Sequence, residues 1–153
     1  MILCQYYCNS KHWPRRVYKI KTICNKVIKQ KDLNFKNYKN YYMNIILTNN
    51  REIQNLNYKY KNKKKVTDVL TFVSKIKNND YNKDILCDIF FSAETIGRDA
   101  ANNDTKFYDH FTHLLVHSFL HVKGFNHKKI KDFGIMKKIE IKILKNLGIS
   151  NPY

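Results

Sequence analysis

The feature that most constrains this chain is the stretch HSFLHVKGFNH, which runs from His117 to His127. Residues four apart on an α-helix lie on the same face, so His117 and His121 point in the same direction. Gly124 can adopt backbone conformations that end a helix, and the following loop can then carry His127 back towards the other two rings. The spacing therefore predicts three imidazoles that converge where a helix ends.

Three neutral imidazoles with one open position are the ligand set of a catalytic zinc site. The alternative is a helix whose histidines face an apolar interior, but burying unpaired imidazoles would cost roughly several kcal/mol. We therefore predict that His117, His121 and His127 bind one Zn²⁺ ion. The spacing does not separate zinc from nickel or another ion that imidazole binds well.

The same spacing matches the protease arrangement HExxHxxGxxH at every position but one. In those proteases the second residue is a glutamate that takes a proton from water at the metal. Ser118 stands at that position here, and a serine hydroxyl is too weak a base at neutral pH. This argues against ordinary peptide hydrolysis. His113 lies one turn earlier, where we expect it to pack or to orient a ligand rather than to bind the metal.

The chain is strongly basic, with 29 Lys and Arg against 12 Asp and Glu, a net charge of +17. That balance favours a polyanionic partner such as RNA, because each lysine that meets a phosphate releases a counterion. Drift towards AT-rich codons is an alternative origin of the lysines. The densest run, Lys59–Lys65, is flanked by Tyr58 and contains Tyr60, which could stack on bases; a solvated loop is the other interpretation.

No acid or base for catalysis is evident beside the three histidines. Asp68 and Glu94 are the first carboxylates to consider, because both lie at the margins of predicted strands. For Asp68 a structural role, capping a turn or accepting backbone donors, is the favoured expectation.

Length predicts one domain covering residues 1–153, and the 43% hydrophobic content predicts a globular fold. The start lacks the features of a signal peptide, and no apolar run approaches the roughly 18 residues of a membrane span. The four cysteines do not resemble a disulfide framework, so we expect a cytoplasmic protein with reduced thiols. Cys4, Cys8 and His12 have spacings of four, but a second metal site there is the less favoured interpretation.

Hydrophobic periodicity predicts an α+β fold in which a mixed sheet of about four strands is packed with helices. A further strand is possible in residues 1–8. The predicted strands are Tyr41–Thr48, Asp68–Val73 and Ile85–Ser92. Helices are predicted at Val17–Ile28, after the N-cap Asn49, at 105–122 and at 132–147. The second helix carries Ile53, Leu56 and Tyr60 on its apolar face, and the last carries Ile135, Met136, Ile139, Ile143, Leu144 and Leu147 inward.

The segment HLLVHSFLHVKGFNH resembles the signature of the YbeY family, whose usual form is HxxxHGxLHLxGYDH. Four other segments resemble family segments in the same order: LTNNREIQNLNYKYK, TDVLTF, LCDIFFSAET and ILKNLGISNPY. The resemblance covers about Ile45 to Tyr153, and its histidine motif is the most specific part.

This resemblance implies a zincin-like fold in which the three histidines hold one zinc that activates water. It implies a single-strand-specific endoribonuclease of 16S rRNA 3′-end maturation and ribosome quality control, with ribosomal RNA and the small subunit as partners. We expect a monomer without membrane association. Two alternatives remain: a ribosome-assembly factor whose metal is mainly structural, and a metallopeptidase-like hydrolase.

The chain departs from the family pattern at four positions. Ser118 and Cys87 replace glycine, Asn126 replaces aspartate before the third ligand, and Lys61 replaces an arginine thought to contact substrate phosphate. Lysine keeps the charge but not the two-pronged guanidinium geometry. The resemblance implies catalytic roles for His117 and Lys61, with weaker phosphate binding at Lys61.

Overall fold

The computed structural model describes residues 1–35, 40–77 and 83–153. In this part of the chain the strands are β1 (Ile2–Cys8), β2 (Tyr41–Thr48), β3 (Val69–Lys77) and β4 (Lys83–Ser92). The helices are α1 (Val17–Ile28), α2 (Asn50–Lys61), α3 (Ala93–Asn102), α4 (Phe107–Val122) and α5 (Ile130–Asn146), and a short 3₁₀ turn precedes α1. The predicted α+β class with a mixed four-stranded sheet is confirmed.

The strands are ordered β1-β2-β4-β3, which places β2 and β4 in the middle. Strand β2 is parallel to both of its neighbours, and β3 is antiparallel to β4. Parallel neighbours require a crossover connection, which α1 supplies between β1 and β2. The apolar run Tyr41–Thr48 fits a strand that is paired on both sides, and β3 is left at an edge of the sheet.

Helix α4 is the central helix of the core and contacts α1, α3, α5, β3 and β4. Two aromatic rings pack against Phe111 of α4. The centroids of Phe91 and Phe111 are 4.6 Å apart, and those of Trp13 and Phe111 are 6.1 Å apart. Burying each large apolar side chain contributes about 1.5–3 kcal/mol. Nine of the sixteen residues of α4 are buried, and its histidines occupy the side that is left.

Several element predictions are confirmed and others are wrong. The strand at the N-terminus is present, and Oδ1 of Asn49 accepts a hydrogen bond from the Glu52 amide as the predicted N-cap. Helix α3 was not predicted, and α4 begins only at Phe107. Within α5, Ile135 is 43% exposed rather than inward, whereas Glu140 is buried.

Both strands extend beyond the predicted bounds Asp68–Val73 and Ile85–Ser92, since β3 reaches Lys77 and β4 begins at Lys83. Residues 78–82 lie outside the described residues. Tyr60, predicted on the apolar face of α2, is 59% exposed and packs its ring 5.2 Å from that of Phe72. Among the described helices, none has the length and hydropathy needed to cross a membrane.

Candidate metal centre

The three motif histidines converge as the spacing predicts. His117 and His121 lie on successive turns of α4, and their ligand atoms and that of His127 all lie within 4.8 Å of one another. The helix ends because Gly124 adopts φ +99°, and the Phe125 amide donates back to the Leu120 carbonyl at 3.0 Å. That reversal returns the chain, and with it His127, towards α4.

Hydrogen bonds fix which ring nitrogens remain free. Nδ1 of His117 lies 2.5 Å from Oε1 of Glu140, and Nδ1 of His121 lies 3.0 Å from the carbonyl oxygen of Phe125. Because both acceptors require a proton on Nδ1, each Nε2 keeps an unshared lone pair. These two Nε2 atoms face each other at 2.9 Å.

Two lone pairs at that distance repel unless a cation lies between them. Ligands at about 2.0–2.1 Å from one zinc ion can be up to about 4.2 Å apart, so the observed separation suits a shared ion. Burial lowers the pKa of His121, and the neighbouring His117 lowers it further. The neutral imidazole is the form that binds a metal, so this donor set fits the predicted ion.

Glu140, on α5, joins the histidines to the rest of the fold. Its carboxylate is 1% exposed and accepts hydrogen bonds from His117, from Nε2 of His113 at 3.1 Å, and from the hydroxyl of Tyr153. Burial would raise the pKa of Glu140, but the bonds from His113, His117 and Tyr153 outweigh it and lower the pKa to about 2. Glu140 is therefore ionised and orients His117, a role that sequence reasoning missed.

The histidines open onto a cleft of about 630 Å³ between α4 and the edge strand β3. The end of α2 contributes to the wall of the cleft, which places Lys61 beside the same space as the metal candidates. The lining residues are Lys61, Thr67, Asp68, Val69, Thr71, Val73, His113, Leu114, His117, His121, His127 and Tyr153. Lys61 is exposed and is the last residue of α2, where its positive charge also suits the helix dipole.

The lysine-rich segment after α2 is held in place by Asn57. This buried side chain donates to the Lys65 carbonyl at 2.9 Å, and its backbone carbonyl accepts from the Lys63 amide at 3.2 Å. Asn62 ends the helix with φ +51°. Of the basic run Lys59–Lys65, Lys61 lines the cleft.

Asp68 lines the cleft and pairs with a histidine outside the motif. Its Oδ2 lies 3.4 Å from Nε2 of His110, an atom that is fully enclosed. Burial would raise the pKa of Asp68, but the contact with His110 outweighs it and lowers the pKa. Asp99 also approaches, so that ligand atoms of Asp68, Asp99 and His110 lie within 4.8 Å of one another.

Three other residues from the sequence analysis lie outside the histidine cluster. Ser118 is buried and donates to the Leu114 carbonyl at 2.9 Å, so its hydroxyl does not reach towards the three rings. Glu94 accepts from the Asn50 amide instead of lining the cleft. Oδ1 of Asn126 accepts from the Lys128 amide, a local turn contact.

Cys87 is buried in β4, and burial followed by the charge of Asp88 raises the pKa of its thiol to about 12. A thiol with this pKa stays protonated and is neither a nucleophile nor a ready metal ligand. All four cysteines are free, as expected. The second metal group considered at Cys4, Cys8 and His12 is not among the clusters found in the described residues.

A comparison with models of known families assigns residues 6–148 to the model described as "Endoribonuclease YbeY". The chain belongs to the YbeY family. It is 37% identical over 144 residues to the endoribonuclease YbeY of Ehrlichia chaffeensis, covering 92% of this chain and 90% of that protein. It is 38% identical over 145 residues to the endoribonuclease YbeY of the Welgevonden strain of Ehrlichia ruminantium, covering 94% of this chain and 90% of that protein.

A third relative agrees with this assignment, and a solved structure shares the fold. The endoribonuclease YbeY of Rhizobium johnstonii is 38% identical over 112 residues, 72% of this chain and 66% of that protein. The solution structure of TM1509 from Thermotoga maritima superposes with a TM-score of 0.56 and covers 95% of this chain and 92% of the other at 19% identity. This structural likeness supports the fold, and the family resemblance seen in the motifs is confirmed.

Proposed function

We propose that this YbeY-family protein is a zinc-dependent endoribonuclease that cleaves single-stranded RNA. The observation that carries the proposal is the convergence of His117, His121 and His127 in a cleft whose rim bears Lys61. The names of the relatives support RNA cleavage, and three imidazoles suit zinc. A zinc ion held there would supply Lewis acidity, which activates water and polarises a phosphoryl oxygen.

The chain's own residues would position the reactants. Glu140 holds the ring of His117 by its Nδ1 proton, so that Nε2 points towards the other two imidazoles. Lys61 would neutralise phosphate charge in the cleft, although an ammonium group makes a less directional contact than a guanidinium. Ser118, buried and bonded to a carbonyl of its own helix, does not serve as a base, which argues against a peptidase mechanism.

We further propose that the natural substrate is the 3′ end of 16S rRNA, in maturation and in ribosome quality control. The net charge of +17 supports an RNA partner of large size. A precursor RNA that spans the mature 3′ end provides the substrate for a test. Cleavage at or near that end, with intact duplex controls, is the expected result.

The decisive experiment combines metal analysis with cleavage assays. Stripped protein is reloaded with zinc, and His117→Ala is compared with Glu94→Gln, which alters a carboxylate that contacts the Asn50 amide outside the cleft. We expect one zinc per chain in wild type and Glu94→Gln, each of which cleaves single-stranded RNA, and loss of both properties in His117→Ala. Cleavage of casein without cleavage of RNA would favour the metallopeptidase. Zinc binding that affects stability alone would favour the assembly factor.

A further inference from the structure

We propose that the exposed face of α1 and the segment before it form a second RNA-binding surface, separate from the metal centre, that holds the phosphate backbone of a long substrate. We call it the α1 surface and define it by Lys11, Arg15, Arg16, Lys19, Lys26 and Lys106. The proposal rests on the proposed function and extends it, because it says how a long RNA is held beyond the cleft.

The first observation is the absence of acidic residues from the start of the sequence. The first Asp or Glu of the chain is Asp32, and the preceding 31 residues contain eight Lys and Arg. About a fifth of the chain therefore carries +8 of the net +17. Surface helices commonly intersperse acids and bases that pair three or four residues apart, and α1 has no acid for such pairing.

The second observation is that these charges are available. The apolar side of α1 is buried through Ile20, Ile23, Cys24 and Val27, which leaves its lysines on the outer face. Among the described residues, the lysine and arginine ion pairs are Lys142–Asp32 and Arg98–Asp99, and neither involves the α1 surface. Arg16 donates to the His12 carbonyl at 2.7 Å and lies over the Phe107 ring, whereas the lysines of the α1 surface can meet phosphates without first breaking an ion pair.

The third observation is the shape of this region, where two depressions share the ring of Tyr108. One, of about 340 Å³, includes Lys19, Lys26 and Lys106, together with the single carboxylate Asp109. The other, of about 510 Å³, includes Lys11, Arg15 and Arg16. Nζ of Lys19 lies 5.6 Å from the centre of the Tyr108 ring. Basic side chains around an aromatic ring are the combination that single-stranded nucleic acid favours.

The α1 surface is continuous with the metal cleft along α4. A third depression, of about 220 Å³, lies between them. Lys106 and Asp109 line both this depression and the one of about 340 Å³, and His113 lines both this depression and the metal cleft. Lys106 and His117 are separated by eleven residues, or about 16 Å along the helix axis. One RNA strand of several nucleotides could therefore reach both sites.

An anionic membrane is the other polyanion to consider, and the structure disfavours it. A helix that lies in a membrane interface inserts its apolar face among the lipids. In α1 that face is packed into the protein core, where Ile20, Cys24 and Val27 are 0% exposed. Only charge would be left to hold a bilayer, whereas RNA binding needs no apolar insertion.

The test reverses two charges on the α1 surface and two elsewhere. The Lys19→Glu/Lys26→Glu variant is compared with Lys138→Glu/Lys145→Glu, which alters exposed positions of α5 and lowers net charge by the same four units. Affinity for a 20-nucleotide single-stranded RNA is measured by fluorescence anisotropy across a range of salt concentrations. The rate constant kcat/KM is measured for that RNA and for a five-nucleotide RNA.

We expect Lys19→Glu/Lys26→Glu to bind the long RNA at least tenfold more weakly than the α5 variant. The slope of log affinity against log salt should fall by about 1.4, or about 0.7 for each lost phosphate contact. The ratio of kcat/KM for long RNA to that for short RNA should fall about tenfold. Equal losses in both variants would mean that only net charge matters and would overturn the proposal.

Two controls separate the remaining outcomes. If the wild type cleaves no RNA, the proposed function fails, but the difference in affinity between the variants still decides whether the α1 surface binds RNA. Sedimentation with vesicles of phosphatidylcholine and phosphatidylserine tests the membrane alternative. Loss of vesicle binding in Lys19→Glu/Lys26→Glu, with RNA affinity unchanged, would overturn the RNA assignment.

Discussion

Oε1 of the buried Glu140 lies 2.5 Å from Nδ1 of His117, across 23 residues of sequence. A carboxylate in this position fixes the ring orientation of a ligating histidine and makes its other nitrogen a better donor. The second carboxylate oxygen contacts His113 and Tyr153. Helix α5 therefore sets the orientation of the first predicted metal ligand, although no part of α5 lies in the histidine motif.

Replacing Glu140 by Gln should weaken zinc binding by about 10–100-fold, because the neutral amide accepts the His117 proton less strongly. Competition with a chromophoric chelator measures this affinity. Glu94→Gln is the control, since that carboxylate contacts Asn50 outside the cleft. Unchanged zinc affinity in Glu140→Gln would show that Glu140 has no orienting role.

The pKa of about 2 at Glu140 makes stability depend on pH. The folded-state pKa lies below the ordinary value of about 4.3, so the unfolded chain binds more protons between these values. The stabilisation that ionised Glu140 contributes to the folded state is complete above about pH 4.3 and is lost as pH falls towards about 2.

Urea unfolding of metal-free protein between pH 5 and pH 2.5 measures this effect. The free energy of unfolding of the wild type should fall more steeply with decreasing pH than that of Glu140→Gln, which cannot titrate at this position. Parallel pH profiles for the two proteins would contradict the assignment of the low pKa.

Gly124 should be needed both for stability and for the metal centre. At φ +99° a side chain costs about 1–2 kcal/mol, so Gly124→Ala should lower Tm by about 2–8 °C and reduce zinc affinity by displacing His127. Gly148 has φ +77° at the end of α5 and provides a matched control. Gly148→Ala should lose stability alone, and equal effects on zinc affinity in both variants would refute the role of Gly124.

Lys61 should contribute to RNA binding and cleavage rather than to zinc binding. A charge-assisted contact contributes about 1.5–3 kcal/mol, so Lys61→Ala should reduce kcat/KM for RNA by about 10–150-fold while zinc affinity is unchanged. Lys61→Arg should retain or improve activity, because guanidinium binds phosphate with two donors. Lys145→Ala, on the exposed side of α5, controls for net charge. Full activity in Lys61→Ala would remove Lys61 from the mechanism.

The histidine cluster could be predicted from sequence because every determinant is local. A four-residue interval fixes two rings on one face of α4, and a glycine three residues later permits the reversal that brings back His127. Glu140 is far away in sequence, and its role depends on how α5 packs against α4. The available signal was an acidic residue on the buried stripe formed by Met136 and Ile143.

Helix α3 was missed for a related reason. Its buried side chains, among them Ala93, Ile96 and Ala100, are mostly small, and Gly97 lowers intrinsic helix propensity by about 1 kcal/mol relative to alanine. Packing of α3 against α4 supplies the stability that the local sequence does not indicate. The parallel pairing of β1 with β2 likewise depends on long-range contacts.

Zinc K-edge X-ray absorption of the zinc-loaded protein, with metal quantified per chain, tests the central claim most directly. The account predicts one zinc per chain with three imidazole nitrogens at about 2.0–2.1 Å, and loss of this signal in His117→Ala. Sulfur ligands at about 2.3 Å, or an unchanged spectrum in His117→Ala, would place the metal elsewhere and contradict the account.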